Sequence, residues 1–320
     1  MINTITTICY LDTLPYLHKG RAVALGFFDG IHMGHQQIIR QTVKTAALEG
    51  LTSTVMTFIN FNKTDNGVLT TLEEKRELLS ALGVEELLVL DFAQVKDMPA
   101  EDFLNEIILM KLSARSILAG TDYRFGKMAS GDAELLKKFG LEKGIEVSIF
   151  EDKLYGSESR RLSSTWLREA AGKGDVELYA KLCGGKCFSY SGMVVHGRQL
   201  GRQLGFPTAN LLIPENKFKV RRGVYVSCVH LGSKKLYGVT NVGLRPTVND
   251  SEDAETAETF IFDFDEDIYG ARIKVELLSF VRPECRFSST DELAAQVEQD
   301  KQTAKTWLTK NGKISPYNEV

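Results

Sequence analysis

A-V-A-L-G-F-F-D-G-I-H-M-G-H-Q (residues 22–36), read on to Phe58, decides the fold of the chain's first half. Ala22–Gly26 is a short apolar run that ends in glycine. His35–Leu48 sets Ile38, Ile39, Val43 and the Ala46/Ala47 pair near one face at helical spacing. Thr52–Phe58 is β-branched and reads as a strand. The three together make a strand–helix–strand unit, and the alternation continues. Leu72–Leu82 is helical with its E-E-K-R charges outward, Glu86–Leu90 a strand and Ala100–Lys111 a helix. Ser116–Ala119 is a strand, Asp132–Glu142 a helix and Ile145–Phe150 a strand. This predicts an α/β domain with a parallel, doubly wound sheet, whose ligands bind at the carboxyl ends of the strands.

The pattern changes past Lys181. Gly172–Asp175 breaks two helical pieces, Glu177–Leu182 is a short helix, and Gly184-Gly185 marks a boundary between domains 1–183 and 184–320. Beyond it, Phe188–Val195, Val224–His230, Lys235–Asn241, Thr259–Phe264 and Arg272–Leu278 are short β runs with turns but no helices between them. That predicts an antiparallel β-barrel. From Thr290, Leu293, Val297, Ala304 and Leu308 recur at helical spacing, as a C-terminal helix on the barrel's outside would require.

A chain of 320 residues exceeds what one core usually serves. Hydrophobic content of 43% and charged content of 25% fit a globular protein. Net charge is −3 and the pI is about 6.0, which argues against nucleic acid or an anionic membrane as the main partner. No apolar run reaches bilayer length, and M-I-N-T-I-T-T lacks the basic and apolar regions of a secretory signal. Five scattered cysteines read as reduced thiols of a cytoplasmic protein. Cys183 and Cys187 flank two glycines, but no second pair completes a zinc site by spacing.

The chemistry gathers in a few loops. In F-F-D-G-I-H-M-G-H (27–35), His32 and His35 bracket Gly34 where a helix begins, and Asp29-Gly30 makes a turn. A helix N-terminus offers N–H groups to phosphate, and two imidazoles beside it suit charge building on an α-phosphate. G-T-D-Y-R-F-G (120–126) sets Asp122, an aromatic ring and Arg124 between glycines, as a seat for a flavin or adenine ring and a phosphate, or as a surface turn. R-L-S-S-T-W-L-R (161–168) opens a helix: Ser164 or Thr165 caps it or bonds phosphate, and Arg168 lies one turn on.

The second half holds S-G-M-V-V-H-G-R-Q-L-G-R-Q-L-G-F-P-T-A-N (191–210). Gly197, Gly201 and Gly205 let backbone approach a ligand, and Arg198 and Arg202 are cationic forks for phosphate oxygens. Pro207 stiffens the corner. Thr208 and Asn210, two apart in an extended segment, show their oxygens on one face, as a hydrated Mg²⁺ on nucleotide phosphates would need. A basic, glycine-rich loop that binds nothing fits the same spacing. Arg245, in N-V-G-L-R-P-T (241–247), recognises a nucleotide or flavin or braces its loop. Glu258 shares a strand face with Phe260 and Phe262, which reads as an inward-facing carboxylate. D-F-D-E-D-I-Y-G (263–270) lacks the glycine and glutamate of a calcium loop and reads as strand-to-turn.

G-R-Q-L-G-F-P-T-A-N resembles the riboflavin kinase signature, and F-D-G-I-H-M-G-H-Q is similar to that of flavin-specific nucleotidyltransferases. With G-T-D-Y-R-F-G, S-S-T-W-L-R and N-V-G-L-R-P-T in the same order, nearly the whole chain resembles the bacterial bifunctional riboflavin kinase/FMN adenylyltransferase family. The resemblance implies a Rossmann-like nucleotidyltransferase domain followed by a β-barrel kinase domain. It implies Mg-ATP at Thr208 and Asn210, Glu258 as the base that acts on riboflavin's ribityl hydroxyl, and FMN and FAD as products. Transfer of AMP to FMN from a second ATP would fall to His32, His35, Arg124 and Arg168, with Gly30 and Gly34 in the phosphate loop.

One stretch departs from the family. Where relatives carry T-F-(D/E)-P-H-P, this chain has T-F-I-N-F-N (57–62), with Ile59 at the acid, Phe61 at the histidine and Asn60 and Asn62 at the prolines. Loss of one preorganised donor commonly costs about a hundredfold in rate. A kinase with a non-catalytic first domain is therefore the second reading, and a flavin-binding sensor without turnover the third.

Overall fold

The structure, a computed structural model, describes residues 5–15, 18–60, 67–157, 159–197, 206–245 and 254–314. Contacts divide the chain into two compact units, Met1–Ser164 and Thr165–Val320.

The first unit is built on six parallel strands: β1 (Thr7–Tyr10), β2 (Arg21–Leu25), β3 (Thr52–Ile59), β4 (Glu86–Asp91), β5 (Ala114–Gly120) and β6 (Glu146–Phe150). Their order is β1-β4-β3-β2-β5-β6. Helix α1 (Met33–Glu49) links β2 to β3, and α2 (Leu72–Ala81) links β3 to β4. Short α3 (Phe92–Val95) and α4 (Ala100–Asp102) follow, α4 running on into a π-helical stretch, Phe103–Lys111. Helix α5 (Ala133–Lys143) precedes β6, and a small ribbon pairs β7 (Leu154–Tyr155) with β8 (Arg160–Arg161). Ile38, Ile39 and Leu79 cover one face of the sheet through Ala24, Val55 and Leu87. Phe103, Leu104, Ile107 and Leu136 cover the other through Val23, Leu25 and Met56. Burial on both faces is why β2 and β4 read as continuous apolar runs. The chain leaves β2 towards β3 and later crosses to β5 on its other side, so the switch point lies between β2 and β5.

One expectation for this unit is corrected. The E-E-K-R charges of α2 do not all point outward: Glu73 and Arg76 pair at the surface at 2.7 Å, but Glu74 and Lys75 are 5% and 4% exposed. Glu74 closes a capping box with Thr71, and Lys75 turns into the sheet.

Helix α6 (Ser164–Lys173) starts at the division, and α7 (Val176–Leu182) follows it. The sequence reading assigns this stretch to the first domain. Here it groups with the second unit, where the Ser279 hydroxyl donates to the Glu177 carboxylate at 2.6 Å and Tyr179 packs edge-on to Phe188.

The second unit is an antiparallel barrel of β9 (Ser189–Met193), β10 (Ala209–Leu212), β11 (Gly223–Leu231), β12 (Lys234–Arg245), β13 (Ala254–Ile261) and β14 (Arg272–Arg282), in the order β10-β13-β12-β11-β14-β9. Its two edges meet where the Val195 N–H donates to the Asn210 carbonyl at 2.9 Å. The interior holds Tyr225, Val229, Val242, Ala257 and Leu277, with a hydroxyl cluster at its middle. There Thr240 bonds Ser227 at 2.8 Å and Thr259 at 2.9 Å. The last helix, α8 (Thr290–Lys310), is capped by Ser289 and lays Ala304 and Leu308 over Val224, Val226, Val239 and Phe262 on the outside.

That packing corrects a second expectation. Phe260 and Phe262 face α8, not the barrel interior, and Glu258 shares their face by strand alternation. The inward row of β13 is Ala257 and Thr259, both fully buried.

Candidate active sites

The first site forms at the switch point, where the β2–α1 and β5–α5 loops leave the carboxyl ends of neighbouring strands. Asp29 pins the first loop: its carboxylate accepts from the Leu69 and Thr70 N–H groups at 3.2 and 3.1 Å. Thr70 Oγ1 in turn accepts from the Gly30 N–H at 3.3 Å. Phe28 and Ile31 take left-handed backbones (φ 50° and 43°), so this loop is held by its surroundings against local preference. His32 is the N-cap of α1, and its Nδ1 accepts from the His35 N–H at 3.2 Å. With Nδ1 an acceptor, a neutral His32 carries its proton on Nε2 and can donate only there. The two rings stack at 3.6 Å, and Phe28 meets His35 edge-on at 5.2 Å. A Cβ on Gly34 would stand 3.1 Å from the His32 ring, so the glycine gives this stack its room.

Burial lowers the His32 pKa to about 4, against which nearby Asp122 pulls upward. Burial also holds His35 well below the usual histidine range, helped by His32 and Lys75, and its Nδ1 is buried with no hydrogen-bond partner among the described residues. Both imidazoles are therefore neutral donors near pH 7. A stability consequence follows from the sign of the shift. The unfolded chain binds more protons than the folded one between 6.5 and 4, so the His32 contribution to stability drains away as pH falls through that window. The full loss is about 3 kcal/mol. Hydrogen exchange of α1 amides should show the wild type losing about that much more than His32→Gln on acidification. Parallel pH profiles for the two proteins would contradict the burial argument.

Around the histidines, Ser164 Oγ donates to the Asp29 carbonyl at 2.9 Å. Asp122 pairs with Arg161 at 2.5 Å, and Arg161 also reaches Asp152 at 2.9 Å. Arg124 is exposed and folds back on the Thr121 and Tyr123 carbonyls at 3.1 and 2.9 Å. Asn60, at the end of β3, donates to Asp91 at 3.1 Å, while Phe61 and Asn62 lie outside the described residues. Thr165 and Arg168 belong to the second unit, where the Arg168 guanidinium lies 5.9 Å over the Phe218 ring. The sequence reading misses Lys75. Its Nζ donates to the Phe27 carbonyl and to Thr57 Oγ1, both at 2.7 Å, and burial lowers its pKa to about 8 while Asp29 holds it up. Its position inside a run of four charges gave no signal of burial.

The second site lies on the outer face of the barrel beside the seam. Asn210 faces Glu258 directly across the β10–β13 ladder, and Glu258 faces Asn241 across β12–β13. Opposed side chains of this kind stand within about 5 Å at Cβ. The Asn210 amide nitrogen donates to the Thr208 carbonyl at 2.9 Å and to its hydroxyl at 3.3 Å. That bond puts the Asn210 amide nitrogen, rather than Oδ1, on the Thr208 side. A Cβ on Gly197 would fall 2.6 Å from the Asn210 carboxamide, so this glycine is needed by Asn210 itself. Pro207 and Thr208 line a cavity of about 160 Å³ with Phe264, Asp265, Asp267 and Tyr269. The acidic turn 263–270, read from sequence only as a connection, thus lines a cavity beside Thr208. Arg198, Gly201, Arg202 and Gly205 lie outside the described residues, and so does the side chain of Arg245, which ends β12.

Comparison with known proteins matches each half of the chain to a family. Residues 15–166 match the FAD synthetase family model, and residues 184–308 match the riboflavin kinase model. A bifunctional riboflavin kinase/FMN adenylyltransferase of Escherichia coli is 35% identical, with 91% of this chain and 93% of that one covered. One of Buchnera aphidicola is 31% identical, over 93% and 97% of the two chains. A crystal structure of a Streptococcus pneumoniae protein titled a macrolide-efflux protein aligns with a TM-score of 0.81 at 34% identity, over 95% of this chain and 99% of that one. The motif loops, the tandem of folds and relatives matched nearly end to end place this chain in the bifunctional riboflavin kinase/FMN adenylyltransferase family.

Proposed function

We infer that the chain performs two successive ATP-dependent steps on a flavin. The first moves the γ-phosphoryl group of ATP to the terminal ribityl hydroxyl of riboflavin, giving FMN and ADP. The second joins an FMN phosphate oxygen to the α-phosphorus of another ATP, giving FAD and pyrophosphate. The observation that carries this is the tandem match of two family models, one to each half. The FAD synthetase match runs straight through T-F-I-N-F-N, and the relatives are named for both activities, so a kinase with an idle first domain is not favoured, nor is a sensor.

The residue roles are part of the proposal. Domain 184–320 acts as the kinase. Glu258 takes the proton that the ribityl hydroxyl loses, and Asn210, opposite it in the ladder, holds the phosphate end of the nucleotide near by. Thr208 and Asn210 offer two neutral oxygens, a donor set that suits Mg²⁺. The cation, when bound, neutralises charge on the transferred phosphate. Gly197, Arg198, Gly201, Gly205 and Pro207 close over the triphosphate. Domain 1–183 acts as the adenylyltransferase. The neutral imidazoles of His32 and His35 face the α-phosphate, with Gly30 and Gly34 shaping the loop. Ser164 meets phosphate, and Asp122 and Arg124 meet flavin; in the second unit Thr165 and Arg168 open α6, and Arg245 meets flavin in the barrel. Transfer in both halves needs alignment and charge stabilisation, not a covalent enzyme intermediate.

No helix among the described residues is long and apolar enough to cross a membrane. All five cysteines are free thiols, and the enzyme is proposed to work in the cytoplasm. The deciding assay supplies riboflavin and FMN separately, each with Mg-ATP, and resolves products by chromatography. FMN from the first and FAD from the second are expected; absence of FAD would return the first domain to a non-catalytic role.

A further inference from the structure

The outer face of the barrel carries a second cluster of chemistry, away from Asn210 and Glu258. Cys228 and His230 lie two apart on β11, so their side chains share one face. Glu276 is the register partner of Cys228 on β14. The same face holds Val224 and Val226, which lie under Ala304 and Leu308 of α8. Past Val226 the apolar cover gives way to three ligand-bearing side chains. His230 Nε2 stands 3.0 Å from Glu276 Oε2 and 3.7 Å from Cys228 Sγ, and the three ligand atoms all lie within 4.8 Å of one another. In the sheet order β12 and β13 lie between β11 and β10, and round the seam β9 lies between β14 and β10.

We propose that Cys228, His230 and Glu276 form a binding site for a borderline-soft divalent cation of the Zn²⁺ class, with water completing the coordination. Around a tetrahedral ion with bonds of about 2.0–2.3 Å, ligand atoms stand about 3.3–3.8 Å apart, so the observed spacing needs only small rotations of side chains on rigid strands. The donor set decides the metal class. One thiolate, one imidazole and one carboxylate suit Zn²⁺ and its first-row neighbours, whereas Mg²⁺ takes oxygen ligands. The cluster is only part-buried at His230 and Glu276, so an ion can reach it from solvent. Binding forms the S–metal bond as the thiol proton leaves to water. Without an ion the Cys228 thiol stays protonated: burial and Glu276 push its pKa up to about 11, while Lys235 and Lys313 pull the other way. Those lysines, with Lys274 at 3.3 Å from Glu276, also balance the negative charge that two anionic ligands bring. A bare His–Glu pair beside an inert thiol has the same geometry, and the two differ in whether a metal binds through sulfur.

The test uses the full chain, stripped with a chelator and kept reduced with a phosphine. Co²⁺ is titrated in the presence of excess Mg²⁺, which occupies oxygen-only sites. One equivalent should bring up a sulfur-to-cobalt charge-transfer band in the near ultraviolet and strong visible bands of a four-coordinate ion, and Zn²⁺ should erase both. Cys228→Ser should abolish the charge-transfer band. His230→Gln and the near-isosteric Glu276→Gln should each weaken Co²⁺ binding by about tenfold or more, with the far-ultraviolet spectrum unchanged. Cys187, whose thiol falls outside the set of three, is the control: Cys187→Ser should keep the band. No band at one equivalent, or a band that survives Cys228→Ser, overturns the proposal.

Discussion

Glu258→Gln should keep riboflavin bound and lower FMN formation by about a hundredfold to ten-thousandfold, the usual range when a general base is removed. The substitution is nearly isosteric. It leaves a side chain that still fills the space across from Asn210 and Asn241, but one that cannot take up a proton. Ground-state contacts should thus persist while the step that needs a proton acceptor fails. Flavin fluorescence titration reads the binding, and ADP release coupled to riboflavin reads the chemistry. FAD formation from added FMN should be untouched, because Glu258 lies on the barrel strand β13, apart from the residues assigned to adenylyl transfer. Turnover near the wild-type rate would remove Glu258 from its assigned role.

His32→Ala should do the converse. FAD formation from FMN should fall by about a hundredfold to a thousandfold, as for loss of one preorganised donor to a developing oxyanion, while the kinase rate stays. Two losses are combined in this variant, because His32 also caps α1 through Nδ1. The cap is worth about 1 kcal/mol. His32→Asn separates them, since asparagine is among the best N-cap residues but brings no imidazole. Stability should return with Asn, and adenylyl transfer should not. If Asn restored FAD synthesis, the histidine would be a cap and nothing more.

The parallel sheet was legible because its strands and helices differ in hydrophobic period, and the period survives without any tertiary knowledge. Strand β1 was not, since T-I-C-Y is four residues long and half-exposed at an edge. Lys75 was hidden for a different reason: a period-based reading sends every lysine to solvent, and only the Phe27 carbonyl and Thr57 hydroxyl explain its burial. The face of Glu258 was inverted by an assumption about cores. Phe260 and Phe262 look like interior residues, but here a helix covers the outside, and the interior row of the same strand carries Thr259 in a hydroxyl network. The candidate cation site was invisible to any spacing rule, because its third ligand lies 46 positions from the second and meets it only through strand pairing.

The seam at Val195 and Asn210 gives one residue two employments. Its carbonyl fastens β9 to β10, while its carboxamide points towards the proposed nucleotide seat. On the proposed role of Asn210, the latch would also be the ligand grip, and occupancy would be coupled to closure. Were the latch to slip, β9 and β10 would each expose a bare row of amides and carbonyls, an open invitation to strands of other molecules. Nucleotide held across that corner would then act as a bolt against self-association, as well as the fuel for phosphorylation.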